Sequence, residues 1–184
     1  KNQGLYRDVL WDVSPIEVNV HEPIPDGMIE SAGLWGWANE LPKWYWPEAE
    51  GKNLGVRVFT KGDNVKLYLD GTLVGECTPD EKYIAEFNVT YQPGELKAVA
   101  YRNGAELGTK VLRTPGEPAA IRLKADRTTV EADRHDLSYV RIEVVDKDGN
   151  VVPGKFPVKI SIEGNGTIAG SGNAATNDMA SFNS

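Results

Sequence analysis

The sequence has 184 residues, of which 40% are hydrophobic and 26% are charged, and its formal net charge is −7. These values exclude a disordered chain and a membrane-spanning one, because no apolar run approaches the roughly 20 residues that a span requires. Basic residues are dispersed among acidic ones, which argues against a nucleic-acid-binding surface, and the single cysteine, Cys77, excludes an internal disulfide and is interpreted as a buried, inert thiol.

The first predicted element is a short helix over residues 4–11. Leu5 and Val9 are four positions apart and form an apolar stripe on one side of it. A helix of two turns is not stable alone. The chain starts at Lys1 without a methionine or an apolar leader, so we interpret it as a segment of a longer protein and expect the partner of this stripe to lie upstream.

Alternating apolar and polar residues predict a series of short strands after the helix. The strongest hairpin signal places Val65, Leu67 and Leu69 on one face before Asp70-Gly71, a pair suited to a tight primed turn, and Leu73 is expected to join that face. The predicted strands cover residues 16–20, 54–60, 65–70, 72–74, 83–89, 96–101 and 107–111. Seven strands without a convincing internal helix favour an immunoglobulin-like antiparallel β-sandwich over residues 1–117.

A Pro- and Gly-rich linker over residues 114–118 separates this sandwich from a second set of strands, predicted over residues 121–125, 140–144 and 158–162. The second domain, residues 118–184, is shorter than the roughly 100 residues of a complete sandwich of this type. We therefore predict an all-β chain of two tandem immunoglobulin-like antiparallel β-sandwiches, the second incomplete.

The most unusual segment is the long connection over residues 23–51, because it holds four of the five tryptophans. The candidate contact residues in it are Trp35, Trp37, Trp44, Tyr45 and Trp46. Indole rings stack on sugars, anchor protein interfaces and cover the ends of sandwiches. Core packing, a domain interface and carbohydrate contact are therefore all open interpretations.

Other patterns give weaker chemical signals. Glu48 and Glu50 form an acid pair, but their spacing does not establish the separation across a cleft that a glycosidase requires. His21 and His135 have no ligand-spaced Cys or His, so no metal or cofactor is expected. The segment that starts at Asp146 is similar to a calcium loop, but it lacks the later acidic ligand and is better interpreted as a turn.

Several short motifs follow one another in a particular order. They are Tyr6-Arg7-Asp8-Val9-Leu10-Trp11, Trp44-x-Trp46-Pro47, Val65-x-Leu67-x-Leu69-x-Gly71 and Tyr91-x-Pro93-Gly94-Glu95-Leu96. In this order they resemble the region after the catalytic barrel of β-galactosidase-like family 2 glycoside hydrolases. Residues 118–127 and 144–153 resemble the start of an invasin-type bacterial immunoglobulin-like domain.

This resemblance implies a retaining glycosidase parent whose barrel carries the catalytic glutamates, so no catalytic residue is assigned here. The implied role is a non-catalytic accessory region that packs against the barrel of the same parent chain, in a secreted or periplasmic enzyme. A carbohydrate-binding module that uses the Trp-rich loop and an adhesin-like spacer are the alternatives.

Overall fold

The computed structural model describes residues 2–31, 36–133 and 135–173. The chain divides into two compact units, Lys1–Val152 and Pro153–Ser184. Within the described ranges the structure is all-β except for one α-helix and a single turn of 3-10 helix at Pro47–Ala49. The all-β class predicted from the sequence is confirmed.

Ten strands follow the helix α1 (Asn2–Leu10) in the described part of the chain. They are β1 Ile16–His21, β2 Glu40–Leu41, β3 Asn53–Thr60, β4 Asn64–Leu69, β5 Thr72–Cys77, β6 Ile84–Thr90, β7 Glu95–Arg102, β8 Ala105–Arg113, β9 Ala120–Ala125 and β10 Val140–Val145. One sheet has the order β2-β1-β3-β6 and a second has the order β5-β4-β7-β8. All neighbouring strands are antiparallel, as in an immunoglobulin-like sandwich.

The two four-stranded sheets bury a common core between them. Alternate residues point inward from each sheet, for example Val18 and Val56 from one and Leu67 and Ala98 from the other, and all four are at most 1% exposed. Burying one such aliphatic side chain contributes roughly 1.5–3 kcal/mol. This alternation is the period-two pattern from which the strands were predicted.

The β4–β5 hairpin turns at the predicted position. Asp70 and Gly71 have φ values of 48° and 79°, the two positive angles of a type I′ turn. The expectation that Leu73 faces the core is wrong, because the two-residue turn pairs Leu73 with Tyr68 on the outer face and leaves Leu73 49% exposed. The turn type, and not hydrophobicity, sets this register.

Helix α1 packs on the outer surface of the first sheet. Val9 is 1% exposed and lies in a second apolar cluster with Phe59 and Ile84, against which Tyr6 also packs. The Tyr6 hydroxyl donates to the carbonyl oxygen of Lys82 at 2.9 Å. Val9 and Tyr6 therefore pack against residues of this chain, and the expected upstream partner stays a prediction.

The β9–β10 hairpin is tied to the preceding segment by Asp146. Its carboxylate accepts hydrogen bonds from the backbone N–H groups of Gly116, Asp148 and Asn150 and from the Asn150 side-chain amide. The Asn150 amide, followed by the Gly116 N–H, lowers the pKa of Asp146 to about 2. The turn interpretation of this loop is confirmed, and one hydrogen bond attaches the predicted linker to the loop at Gly116.

The second unit is irregular over its described residues, 153–173. The strand predicted at residues 158–162 is not formed, because these residues have no partner strand within the described ranges. Val158, Ile160 and Ile162 are 39%, 46% and 53% exposed. The domain boundary at residues 117 and 118 stays a prediction.

Candidate functional site

The aromatic loop, which we define as residues 22–50, is closed at its base by polar contacts. The Glu22 N–H donates to the Asn39 carbonyl oxygen at 2.8 Å, and the Asn39 N–H donates to Glu30 Oε1 at 2.8 Å. The other Glu30 oxygen lies 2.9 Å from His21 Nε2. The Asn39 N–H, followed by His21, lowers the pKa of the Glu30 carboxyl group. Glu30 and Asn39 are thus held beside the end of β1.

His21 itself bridges two acceptors at the base of this loop. Its Nδ1 atom is 2.9 Å from the Glu22 carbonyl oxygen, and its Nε2 atom is 2.9 Å from the Glu30 carboxylate. His21 therefore connects the end of β1 to two points of the aromatic loop.

Trp44 and Trp46 are core residues. They are 0% and 6% exposed. The Trp44 indole N–H donates to the Gln92 carbonyl oxygen at 3.0 Å, and its ring meets Tyr91 edge to face at 4.9 Å between centroids. The Tyr91 hydroxyl accepts the Trp46 backbone N–H at 3.0 Å, so both tryptophans attach the loop to the turn after β6.

The burial of these two rings agrees with the core-packing interpretation for Trp44 and Trp46. Tyr45, between them in sequence, is only half-buried, and Trp35 lies outside the described residues. The Lys43 ammonium sits 3.9 Å from the centroid of the Trp46 ring, and burial lowers the pKa of that lysine. The ring faces of Trp44 and Trp46 are therefore unavailable to a sugar or to a partner protein.

Trp37 is half-buried and joins the loop to helix α1. Its ring centroid is 5.6 Å from that of Tyr6 and 6.4 Å from that of Phe59. Its indole N–H donates to Glu40 Oε2 at 3.2 Å. Trp37 thus covers the outer face of the first sheet and helps to position α1.

A buried ion pair lies beneath Trp37. Arg57 Nη1 is 2.8 Å from Glu40 Oε1, and the Glu40 side chain is only 1% exposed. The Arg57 guanidinium also lies 5.4 Å from the Trp37 ring centroid and 3.2 Å from Glu86. Such a pair is costly to break from one side, because the remaining charge stays buried. The ion pair therefore fixes the position of the aromatic loop on the sheet.

The most exposed tryptophan of those described is Trp11, which the sequence reasoning did not single out. It is 69% exposed, and the neighbouring Val13 is 72% exposed. Trp11 follows the last residue of α1 and is two positions from the buried Val9, a spacing that points side chains away from each other. That offset from the Leu5 and Val9 stripe is the signal that would have identified it.

The acid pair considered in the sequence analysis lies at the surface. Glu48 is in the exposed 3-10 turn and Glu50, also exposed, ends it. Among the described residues no group of three or more His, Cys, Asp or Glu is placed to hold a metal ion. Cys77 is half-buried, with its thiol 3.3 Å from the Thr78 carbonyl oxygen, so the prediction of full burial is wrong.

Two sequence families match separate parts of the chain. The model described as Glycoside hydrolase family 2 C-terminal domain 5 matches residues 121–184, and a domain of unknown function (DUF4982) matches residues 51–108. The chain is 32% identical over 144 residues to the β-galactosidase BoGH2A of Bacteroides ovatus, covering 77% of this chain and 17% of that protein. It is 33% identical over 126 residues to a β-glucuronidase of Formosa agariphila, covering 65% of this chain and 13% of that protein.

Solved structures of glycosidases are also similar to this chain. A glycosyl hydrolase family 2 member from Bacteroides cellulosilyticus has a TM-score of 0.74 and 34% identity, covering 82% of this chain and 20% of that one. A β-glycosidase from Bacteroides vulgatus, with a TM-score of 0.60 and 22% identity, shares the fold over 82% of this chain and 17% of that one. The chain spans a fifth or less of the length of these relatives.

Proposed function

We propose that this chain, which belongs to the C-terminal accessory region of family 2 glycoside hydrolases, is a non-catalytic part of a β-galactosidase-like enzyme. In this proposal it packs against and borders the catalytic barrel. The observation that carries this proposal is the limited share of each relative that the chain covers, 17% of the Bacteroides ovatus β-galactosidase and 20% of the Bacteroides cellulosilyticus enzyme. The match to a C-terminal domain model of the same family supports it.

The architecture suits a supporting role. The buried Arg57–Glu40 pair and the Tyr6–Trp37–Phe59 aromatic contacts fix α1 and the aromatic loop to one rigid sheet. A rigid body with helix and loop held in one arrangement can border a neighbouring domain without rearranging. Following the family resemblance, we place the parent enzyme in the periplasm or outside the cell. As a separate observation, no helix in the described part of the chain is long and apolar enough to cross a bilayer.

The carbohydrate-binding alternative loses its strongest feature, because the Trp44 and Trp46 rings are buried in the core. Trp37 retains partial exposure, but the Tyr6 and Phe59 rings and the Arg57 guanidinium already contact it. A sugar platform requires an open ring face on which a pyranose can stack. The described residues therefore favour a structural role for the aromatic loop.

Two assays on the isolated chain test this proposal. At high protein concentration it should hydrolyse neither chromogenic β-galactosides nor β-glucuronides. Turnover that survives repurification and disappears in the Glu48→Gln or Glu50→Gln variant would overturn the non-catalytic assignment. Titration with galactose, lactose or longer galactosides should give no saturable fluorescence change, whereas saturation lost in Trp37→Ala but retained in Trp11→Ala would favour the binding module.

A further inference from the structure

Three turns at one end of the sandwich form a surface that we call the turn platform. It consists of residues 11–14 between α1 and β1, residues 61–63 between β3 and β4, and residues 102–104 at the end of β7 and in the turn to β8. Side chains link the three turns directly. Lys61 Nζ is 2.8 Å from both carboxylate oxygens of Asp12, and Arg102 Nη2 donates to the Lys61 carbonyl oxygen.

The first of these turns exposes two large apolar side chains to solvent. Trp11 is 69% exposed and Val13 is 72% exposed. Their backbones are nevertheless fixed, because the Trp11 N–H donates to the Arg7 carbonyl oxygen at 2.9 Å and the Val13 N–H to that of Asp8 at 2.8 Å. Exposure here is therefore combined with a defined conformation.

Asp12, between the two apolar residues, adopts a left-handed backbone conformation with φ of 60°. This conformation is common at the residue that ends a helix, and here the Val13 N–H bond to the Asp8 carbonyl oxygen closes the end of α1. The Asp12 carboxylate also contacts Lys61, 49 positions away in the sequence. The helix end and this contact together orient Trp11 and Val13 relative to the sandwich.

The other two turns are equally restrained. A Cβ atom at Gly62 would lie 2.5 Å from the Tyr101 carbonyl oxygen, so the two backbones touch and only glycine fits. Asp63 accepts the Asn103 N–H at 2.6 Å. A cavity of about 160 Å³ adjoins the platform, with Asp12, Lys61 and Arg102 in its wall.

We infer that the turn platform is the surface on which the catalytic part of the parent chain docks, with Trp11 as its central anchor. This inference rests on the proposed function, which supplies the occupant. An apolar anchor surrounded by charged groups is the anatomy of a protein interface, and tryptophan is the residue type most enriched among interface hot spots. The fixed backbone means that little conformational entropy is lost when the surface binds.

The occupant is argued from the length of the relatives. The chain covers 20% of the Bacteroides cellulosilyticus structure, which it matches with a TM-score of 0.74, so four-fifths of that enzyme lies outside the shared region. A neighbour of this size is large enough to bury the platform and the adjoining cavity. The apolar pair then lies in an interface and is no longer in water.

The test compares variants at the two ends of the sandwich. Trp11→Ser and Val13→Ser alter the platform, and Ile29→Ser is the matched control, since Ile29 is 91% exposed on the aromatic loop, which is held at the other end of β1. Each is titrated by calorimetry with the separately produced catalytic part of the parent enzyme. Trp11→Ser should raise the Kd at least about 10-fold, Val13→Ser about 3-fold or more, and Ile29→Ser less than about 2-fold. Urea midpoints should match the wild type, because all three side chains are exposed.

Lys61→Met tests the positioning of the anchor. It removes the contact with Asp12 without touching Trp11. The Kd should rise about 2- to 5-fold, and Lys61→Arg should restore it, because an arginine can remake the ion pair.

The outcomes separate this inference from the proposed function. If the wild type binds and all variants bind equally, docking occurs elsewhere, so the inference fails while the proposed function stands. If the wild type shows no binding at protein concentrations of about 100 μM, the inference and the proposed function both fail. A concentration-dependent dimer of the isolated chain that Trp11→Ser abolishes would assign the platform to a second copy and overturn the inference.

Discussion

Trp44 and Trp11 provide the sharpest contrast in the molecule, because the same residue type plays opposite parts. Trp44 is fully buried in the core, whereas Trp11 is 69% exposed. Trp44→Ala should therefore reduce the free energy of unfolding strongly, and Trp11→Ala should leave it nearly unchanged.

The magnitude follows from the contacts of Trp44. Replacing a buried large aromatic side chain by alanine costs about 3–5 kcal/mol through lost burial and the cavity that remains. The Gln92 carbonyl oxygen also loses the indole donor now 3.0 Å away, which costs about 1 kcal/mol more. The total of about 4–6 kcal/mol is a large part of the roughly 5–15 kcal/mol that stabilises an ordinary domain.

Urea unfolding followed by far-ultraviolet circular dichroism is the suitable assay, since the substitutions remove a fluorophore. With an m-value of about 2 kcal/mol/M, the Trp44→Ala midpoint should fall by roughly 2–3 M, and the Trp11→Ala midpoint by no more than about 0.3 M. Trp44→Phe keeps an aromatic ring at this position and should lower the free energy of unfolding by about 1–3 kcal/mol. Its midpoint therefore tests the burial of Trp44 even if the alanine variant does not fold. Equal midpoints for Trp44→Ala and Trp11→Ala would refute the core assignment of Trp44.

Three further predictions concern a turn, an ion pair and a carboxylate. Gly71→Val should lower the free energy of unfolding by about 1–2 kcal/mol in a urea titration, because Gly71 has φ of 79°, an angle that valine rarely adopts even with open space around it. The control is Gly4→Ala, in α1 and also in open space, which should be neutral or stabilising by up to about 1 kcal/mol. Equal effects of the two substitutions would contradict the turn type. Arg57→Met should lower the free energy of unfolding by about 3–5 kcal/mol, because it leaves the Glu40 carboxylate buried without its cation. Adding Glu40→Gln should recover part of this loss, and the absence of any recovery would contradict the assignment of a buried ion pair. The Asp146 pKa of about 2 lies below its unfolded value near 4. The stability that its carboxylate contributes is therefore present above pH 4 and is lost as the pH falls toward 2. The urea midpoints of the wild type and Asp146→Asn should differ at pH 6 and converge near pH 2, and a difference that stays constant with pH would contradict this assignment.

The strands and turns of the sandwich were predictable because each is set by local sequence. Alternation gives the inward face of β3 and β4, and the Asp70-Gly71 pair gives the type I′ turn. The failure at Leu73 shows the limit of that reasoning. Its hydrophobicity suggested the core, but the turn fixes the register of β5 and places Leu73 opposite the outward Tyr68.

The roles of the aromatic residues were not predictable, since they depend on contacts between distant parts of the chain. Trp44 is buried because Tyr91 and Gln92, almost 50 positions away, close over it. Val9 of helix α1 is buried because Phe59 and Ile84, about 50 or more positions away, lie against it. A cluster of tryptophans in sequence is the same signal for a core and for a binding surface, so it could not assign Trp44 to the core.

Assembly of a split enzyme tests the central claim most directly. The chain and the catalytic part of its parent enzyme would be produced as separate polypeptides in one cell, with a purification tag on the chain only, and the eluted material sized by light scattering. We predict a 1:1 complex that hydrolyses a chromogenic β-galactoside, while the chain purified alone does not. Recovery of the chain as a free monomer, from cells in which the catalytic part is soluble and active, would contradict the account.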